Sequence, residues 1–191
     1  ATMKSVCSRS RFQNIARSTM FLRSDHKGGC REEDNLVQVL NKHSFKSMER
    51  IRNTKSYIVD PGLQNNRENS MAAENIGWRL ENVVYIELLR KCANEFLDVY
   101  YYKPGPKDRE VDFVVCEKSR ALELIQVAYD IDSPKTFKRE TSALIAASDA
   151  LQCKNLTLVA FAETRDVEIE GKVIHVKSAL DWLLTEKENN D

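Results

Sequence analysis

The spacing of apolar residues changes along the chain, and the changes mark out its elements. From Gly77 to Lys91 the residues Trp78, Val84, Tyr85, Leu88 and Leu89 fall on one arc when plotted at 100° per residue, which predicts an amphipathic helix. Leu97–Lys103, Glu110–Cys116 and Ala121–Tyr129 are shorter runs rich in Val, Ile, Leu and Tyr and read as strands. Helical spacing returns over Pro134–Leu151, with Ser133 as the cap and proline at the first position. A strand at Leu156–Ala162 follows, then a hairpin over Val167–Val176 around Glu170-Gly171, then a helix at Ala179–Glu186 that Ser178 can cap. Helices covering a mixed sheet, an α/β fold, is the architecture this order predicts.

The first part of the chain reads differently. A helix near Arg11–Met20, a polar loop at Asp25–Gly29 and a helix around Asp34–Lys42 suggest a small helical module. Two helices across a glycine-containing connection permit a winged-helix-like reading, although the connection is longer than the turn of a helix-turn-helix. A β-like run at Ser56–Leu63 closes in Pro61-Gly62, and the polar stretch Gln64–Ser70 is the best linker candidate. The expected division is a module at 1–56 and an α/β domain at 57–191.

Length and composition fit this picture without sharpening it. The 191 residues suffice for one α/β domain and a small appendage, and 42% hydrophobic with 30% charged residues is ordinary for a globular chain. The 29 basic and 29 acidic side chains balance overall but not locally. Residues 1–70 hold 13 Lys and Arg against 7 Asp and Glu, and residues 71–191 hold 16 against 22, so the two parts carry +6 and −6. A basic lobe suits nucleic acid phosphates, and mutual attraction of the two lobes accounts for the asymmetry equally well. Arg9, Arg11 and Arg17 are the candidates for phosphate contact there, against the ordinary reading of a solvated face.

Several function classes are disfavoured. Five cysteines form no CxxC pair and three histidines lie far from them, so zinc spacing is absent and a reduced compartment fits best. Nothing resembles a signal peptide, and no apolar run approaches the roughly 20 residues that span a bilayer, so the expectation is a soluble cytoplasmic protein. Six glycines include no G-x-x-x-x-G-K-[ST], so this chain carries no phosphate-cradling loop for ATP.

The candidate chemistry lies in carboxylates. On the Gly77–Lys91 helix Glu81 falls in the middle of the apolar arc, where an ionised group requires a hydrogen bond, an ion pair or a metal. A nearby backbone or basic partner is the ordinary explanation. If Glu117–Ala121 is a hairpin loop, the register pairs Cys116 with Leu122, Val114 with Leu124, Asp112 with Gln126, and Glu110 with Ala128. Asp112 and Gln126 then share a face, and with Glu81 they supply three oxygens of the kind Mg²⁺ or Mn²⁺ prefers. Shifting the loop by one residue would place them on opposite faces. Arg139 and Glu140 are close enough in sequence to Gln126 to contact this site or a nucleic acid backbone, although adjacent opposite charges on a helix are usually exposed.

These residues carry a resemblance. Tyr57-Ile-Val-Asp60-Pro-Gly62-Leu63, Gly77-Trp-Arg-Leu-Glu81-Asn82, Tyr100-Tyr-Tyr102-Lys103, Arg109-Glu-Val-Asp112-Phe-Val, Leu124-Ile-Gln126-Val127, and Thr136 with Arg139-Glu140 occur in order. Over roughly residues 50–186 they resemble the C-terminal domain of unknown function of bacterial and archaeal AAA-type ATPases. That domain is similar to the restriction-endonuclease-like, PD-(D/E)xK, fold. The resemblance implies roles: Glu81 the helix carboxylate, Asp112 the central metal-binding aspartate, Gln126 the position of the second acid, Ala128 the position of the lysine.

Two of those four depart from the nuclease pattern. Glutamine brings no charge and cannot serve as a base, and alanine cannot stabilise charge developing on phosphate. The implied function is therefore a nuclease-fold nucleic-acid-binding module, catalytically impaired or inactive, with DNA and an ATPase domain or other protein as partners. Arg9, Arg11, Arg17, Lys103 and Arg139 are its candidate nucleic-acid contacts. One alternative is a protein-interaction or regulatory domain that docks on an ATPase without touching nucleic acid. Another is a metal-dependent phosphodiesterase using Glu81, Asp112 and Gln126 with Mg²⁺ or Mn²⁺. A small-molecule enzyme has no motif in its favour.

Overall fold

The computed structural model describes residues 37–43, 54–59, 73–105 and 107–184. In chain order the elements are β1 (Val37–Asn41), β2 (Thr54–Ile58), α1 (Ala73–Glu95), β3 (Asp98–Tyr102), β4 (Val111–Glu117), β5 (Arg120–Ala128), α2 (Pro134–Leu151), β6 (Leu156–Ala160), β7 (Arg165–Ile169), β8 (Lys172–Ser178) and α3 (Ala179–Leu184). Six strands form one mixed sheet in the order β3-β4-β5-β6-β8-β7. The first three are antiparallel, β5, β6 and β8 run parallel, and β7 returns antiparallel at the far edge.

Helices cover both faces of this sheet, as a sheet buried on both sides requires. On one face α2 lays Ala143, Leu144 and Ala147 over Leu124, Leu156, Leu158 and Ile174. On the other, α1 contributes Val84, Tyr85, Leu88 and Cys92 and α3 contributes Trp182, packed on Phe113, Ile125 and Val159. β6 is buried at every position, as expected of a central parallel strand. The β5–α2–β6 passage needs a helix because parallel neighbours cannot be joined by a tight turn.

The helix ends follow from local chemistry. α2 has Pro134 in its first turn and Ser133 in extended conformation before it, but the Ser133 hydroxyl makes no capping hydrogen bond. Its last turn closes at Gln152, in the left-handed region with φ 53°, whose N–H donates to Ser148 O. α1 stops at Phe96, φ 58°, and Leu97 N donates back to Cys92 O at 3.1 Å. The β7–β8 turn places both Glu170 (φ 54°) and Gly171 (φ 71°) at positive φ, the backbone a tight two-residue hairpin demands. Ser178 does cap α3, accepting from Asp181 N at 3.1 Å. No helix of the described residues is long and apolar enough to cross a membrane.

Two expectations need correction. The helix expected around Asp34–Lys42 is the strand β1, paired antiparallel with β2 from Val37↔Ile58 to Asn41↔Thr54. Val37 and Val39 are β-branched and alternate, and a paired strand satisfies the backbone that a short isolated helix would leave half bonded. β2 also runs across the expected boundary between residues 56 and 57. The helix expected at Arg11–Met20 and the linker at Gln64–Ser70 lie outside the described residues, as do Arg9, Arg11 and Arg17.

The second correction concerns the β4–β5 hairpin. Val114 faces Leu124 as expected, but Cys116 pairs with Ala121, because Leu122 is an extra residue between Val115↔Glu123 and Cys116↔Ala121. The bulge absorbs it and restores the register toward the site, where Phe113 faces Ile125.

Candidate functional site: a carboxylate pocket centred on lysine

The pocket is built where β2 meets α1 and the start of β4. β2 is docked by Asn82, fully buried on α1, which treats Ile58 as a strand would: Ile58 N donates to Asn82 Oδ1 at 2.8 Å, and Asn82 Nδ2 donates to Ile58 O at 2.7 Å. Residues two apart on a strand share a face, so Tyr57 and Lys55 turn inward together. The Tyr57 ring packs against Tyr85 at 4.2 Å between centroids and against Phe113 at 6.0 Å. β1 pairs with β2 along its other edge, Gln38 opposite Tyr57 and Leu40 opposite Lys55, and the residues after β1 join β3 through a bridge between Lys42 and Tyr101 and a bond from His43 N to Tyr101 O at 2.7 Å.

Lys55 thereby enters a ring of carboxylates. Its Nζ lies 3.0 Å from Glu81 Oε1, 2.5 Å from Glu110 Oε1 and 3.2 Å from Asp112 Oδ1. Three ion pairs match the three N–H donors of an ammonium. Tyr57 Oη donates to Glu81 Oε1 at 2.6 Å, and Val127 N donates to Asp112 Oδ2 at 3.0 Å, leaving Oδ1 to face the lysine. The Asp112 carboxylate is aimed by a second irregularity: between Tyr100↔Val114 and Tyr102↔Val111, β4 has one more residue than β3.

The electrostatics follow from three acids and one base in a poorly solvated space. Burial disfavours the charge on Lys55, but Asp112, Glu81 and Glu110 outweigh it and hold the ammonium above its ordinary range. Asp112 is pushed up to about 7 by burial and by the charge of Glu81, against the opposing pull of Lys55 and the Val127 N–H. Burial and then Glu81 likewise raise Tyr57, so its hydroxyl remains a donor. The lysine is consequently a fixed cation and not a base.

Of the residues singled out from the sequence, Glu81 and Asp112 are brought together and Gln126 is not. Gln126 Oε1 accepts from the backbone N of Asp112 at 3.2 Å, and its Nε2 donates to Glu140 Oε2 at 2.8 Å. The amide therefore faces α2, on the opposite side of the sheet from Glu81. Ala128 is buried in the α2-side core. Glu140, against the expectation of an exposed charge pair, is buried, and Arg139 Nε closes over its other oxygen at 2.7 Å. Trp78, expected in the apolar arc with Glu81, is 37% exposed. Lys103 reaches only the rim, 3.7 Å from Glu110 Oε2.

The Mg²⁺ or Mn²⁺ implied by the resemblance does not fit this arrangement. Such an ion needs oxygens at about 2.0–2.2 Å around a common centre, and the centre here is the Lys55 ammonium. Gln126, the third expected ligand, has its carbonyl and its amide engaged elsewhere. Among the described residues no trio of His, Cys, Asp or Glu is disposed to hold a metal ion.

Lys55, Tyr57 and Glu110 were not among the site residues picked out from sequence. The signal for the first two was present: Tyr57 lies on a β-like run and its ring has to be buried, so alternation turns Lys55 the same way.

Comparison with known proteins places the chain in a family. An uncharacterized protein of Methanocaldococcus jannaschii is 33% identical over 123 residues, covering 64% of this chain and 26% of that protein. An uncharacterized protein of Haemophilus influenzae is 34% identical over 133 residues, covering 69% of this chain and 29% of that protein. The chain thus spans less than a third of the length of these relatives. No solved structure matches it. Residues 76–179 match the family described as a domain of unknown function, DUF4143, a segment that includes Glu81, Glu110, Asp112, Gln126 and Glu140 and begins after Lys55 and Tyr57. That match takes in more than half of the chain, which belongs to the DUF4143 family.

Proposed function

We propose that this chain is a restriction-endonuclease-like, nucleic-acid-binding module from the C-terminal half of an AAA-type ATPase, with its catalytic site impaired. The observation that carries the reading is the ammonium of Lys55 inside the Glu81–Glu110–Asp112 pocket. A helix carboxylate and a strand aspartate stand together as in a nuclease, while the position a catalytic cation needs is filled by a side chain.

The surface beside the pocket supports the nucleic-acid half of the proposal. Arg109 Nη1 donates to Arg139 O at 2.9 Å and to Lys138 O at 3.4 Å, drawing the segment before β4 onto the first turns of α2. Lys107, Arg109, Lys138 and Arg139 are exposed there, and Lys103 joins them through Glu110. A basic face of this kind follows a phosphate backbone by releasing counterions, with affinity that falls as salt rises.

The test is fluorescence anisotropy of branched and duplex DNA over a salt series, with a cleavage assay in Mg²⁺ and Mn²⁺ on the same samples. Salt-sensitive binding without cleavage is the expected result. Salt-insensitive association with an ATPase and no DNA binding would replace this reading with the docking one, and Asp112-dependent cleavage would replace it with a phosphodiesterase.

A further inference from the structure

We propose that the crevice between Tyr129 and Phe161 is a docking site for an arginine side chain carried by an apolar segment of a partner protein. The crevice follows from the topology. β5 and β6 run parallel side by side, and beyond Ala128 and Ala160 their chains part, one toward α2 and the other toward β7. Neighbouring parallel strands whose connections diverge leave an opening at their carboxyl ends, which is where α/β sheets take ligands. Here the opening is a cavity of about 220 Å³.

Its walls fix the chemistry of the occupant. The Tyr129 and Phe161 rings stand 4.8 Å apart at their centroids, held by a bond from Phe161 N to Tyr129 O at 3.3 Å, and Phe161 is 56% exposed. Asp130, Asp132 and Glu163 line the same cavity. Arg165 pairs with Glu163, Nη1 to Oε2 at 2.6 Å. Asp130 Oδ1 accepts from Asp132 N at 2.8 Å, and among the described residues no basic side chain pairs with either aspartate. Aromatic faces attract cations through their quadrupole, and unpaired carboxylates add to the attraction, so the combination selects a positive group. A phosphate backbone is repelled by the same acids, which sets this crevice apart from the basic face around Arg109 and Lys138. Guanidinium meets both demands, because its plane stacks on a ring while its edge forks onto a carboxylate, and an ammonium acts only as a point charge.

Size and surroundings decide between a free cation and a side chain. Small-molecule pockets run to roughly 300–1,000 Å³ and enclose most of their ligand. This cavity is smaller and suits one side chain. Further apolar surface lies on the element beside it. Thr164 Oγ1 donates to Asp181 Oδ2 at 2.6 Å and accepts from Ser178 N at 2.9 Å, which ties the loop after Phe161 to the first turn of α3. On that helix Leu180 and Leu184, one turn apart, are 64% and 70% exposed. An arginine anchored in a pocket with apolar contacts beside it is the usual centre of a protein interface.

The experiment is ¹⁵N–¹H NMR titration of the whole chain with the peptide acetyl-Gly-Leu-Arg-Leu-Gly-amide, reading the amides of residues 129–133 and 160–164. The comparison ligands are the same peptide with lysine or with citrulline, the neutral shape-mimic of arginine, and arginine amide alone. The arginine peptide should bind at least about five-fold more tightly than each of the three, and Phe161→Ala or Asp130→Asn/Asp132→Asn should remove that margin while the amides of β3 and β4 stay in place. Equal binding of the citrulline peptide would overturn the cationic site, of the lysine peptide the guanidinium, and of arginine amide the partner segment in favour of a free cation. Shifts of the same amides on adding duplex DNA alone, lost in Phe161→Ala, would overturn the proposal in favour of nucleic acid. The substituted positions are all exposed, so the variants should fold as the wild type does, and either variant alone decides.

Discussion

Lys55 on β2 and Asp112 on β4 are 57 positions apart in the chain and 3.2 Å apart in space. Neither position is intelligible alone. A half-buried ammonium and a buried carboxylate each cost several kcal/mol when unpaired, and together with Glu81 and Glu110 they form a cluster whose members require one another. The consequences can be measured.

Asp112 should make stability depend on pH. Its folded pKa of about 7 stands above the ordinary 3.8, so the native state binds its proton more strongly than the unfolded chain does. The stabilisation is complete below about pH 4 and is lost as pH rises toward and through 7. Urea denaturation of wild type and Asp112→Asn between pH 4 and 8 should show a shallower decline in the variant, by an amount of order 2–4 kcal/mol over the window. Parallel curves would show that Asp112 titrates normally.

Placing at position 126 the acid that the nuclease resemblance implies should not create a site. Gln126 Nε2 donates to the buried Glu140, so Gln126→Glu sets two carboxylates about 3 Å apart in the interior. The variant should lose roughly 3 kcal/mol or more at pH 8 and recover much of it near pH 5, where one carboxyl keeps its proton. Chemical denaturation at both pH values reads this directly. Equal loss at both would point to packing instead.

Asn82 should govern the attachment of β2. Asn82→Ala leaves Ile58 N and O without their partner, at a cost of about 2 kcal/mol, and frees the strand that carries Lys55. Hydrogen exchange should show β2 amides losing protection ahead of β5 and β6. Uniform loss across the sheet would mean that β2 opens only with the whole domain.

Lys138 offers the cleanest probe of the basic face, since Arg139 is engaged with Glu140. Lys138→Ala should weaken DNA binding alike across sequences and lower the salt slope by about one. An unchanged slope would take this surface out of the phosphate contact.

Much of the fold was legible before any coordinates. Pro134–Leu151 is helical over the range its spacing and Ser133-Pro134 start predict, and Glu170-Gly171 makes the expected turn. Those elements depend on local rules. The helix expected at Asp34–Lys42 failed because Val37–Asn41 is decided by its pairing with β2, thirteen or more residues away. The hairpin register was right at Val114 and Leu124 and wrong at Cys116, because alternation cannot see which residue a bulge will absorb. In the site, Glu81 and Asp112 were found as acids needing partners. Gln126 keeps the face expected of it, with Val114 and Leu124, and it is Asp112 that the bulge opposite Tyr101 turns to the other side.

The sequence by itself determined the α/β class, the succession of elements from α1 onward, and the presence of inward acids on α1 and β4. Periodicity, capping and turn chemistry act over a few residues and leave their record there. Only the tertiary structure decided what those acids meet. Lys55 reaches them because Asn82 docks β2 and Tyr57 packs on Tyr85 and Phe113, contacts between segments far apart in the chain. A carboxylate's partner is chosen by distance in space, since both Coulomb attraction and the cost of desolvation depend on where the folded chain places the charge.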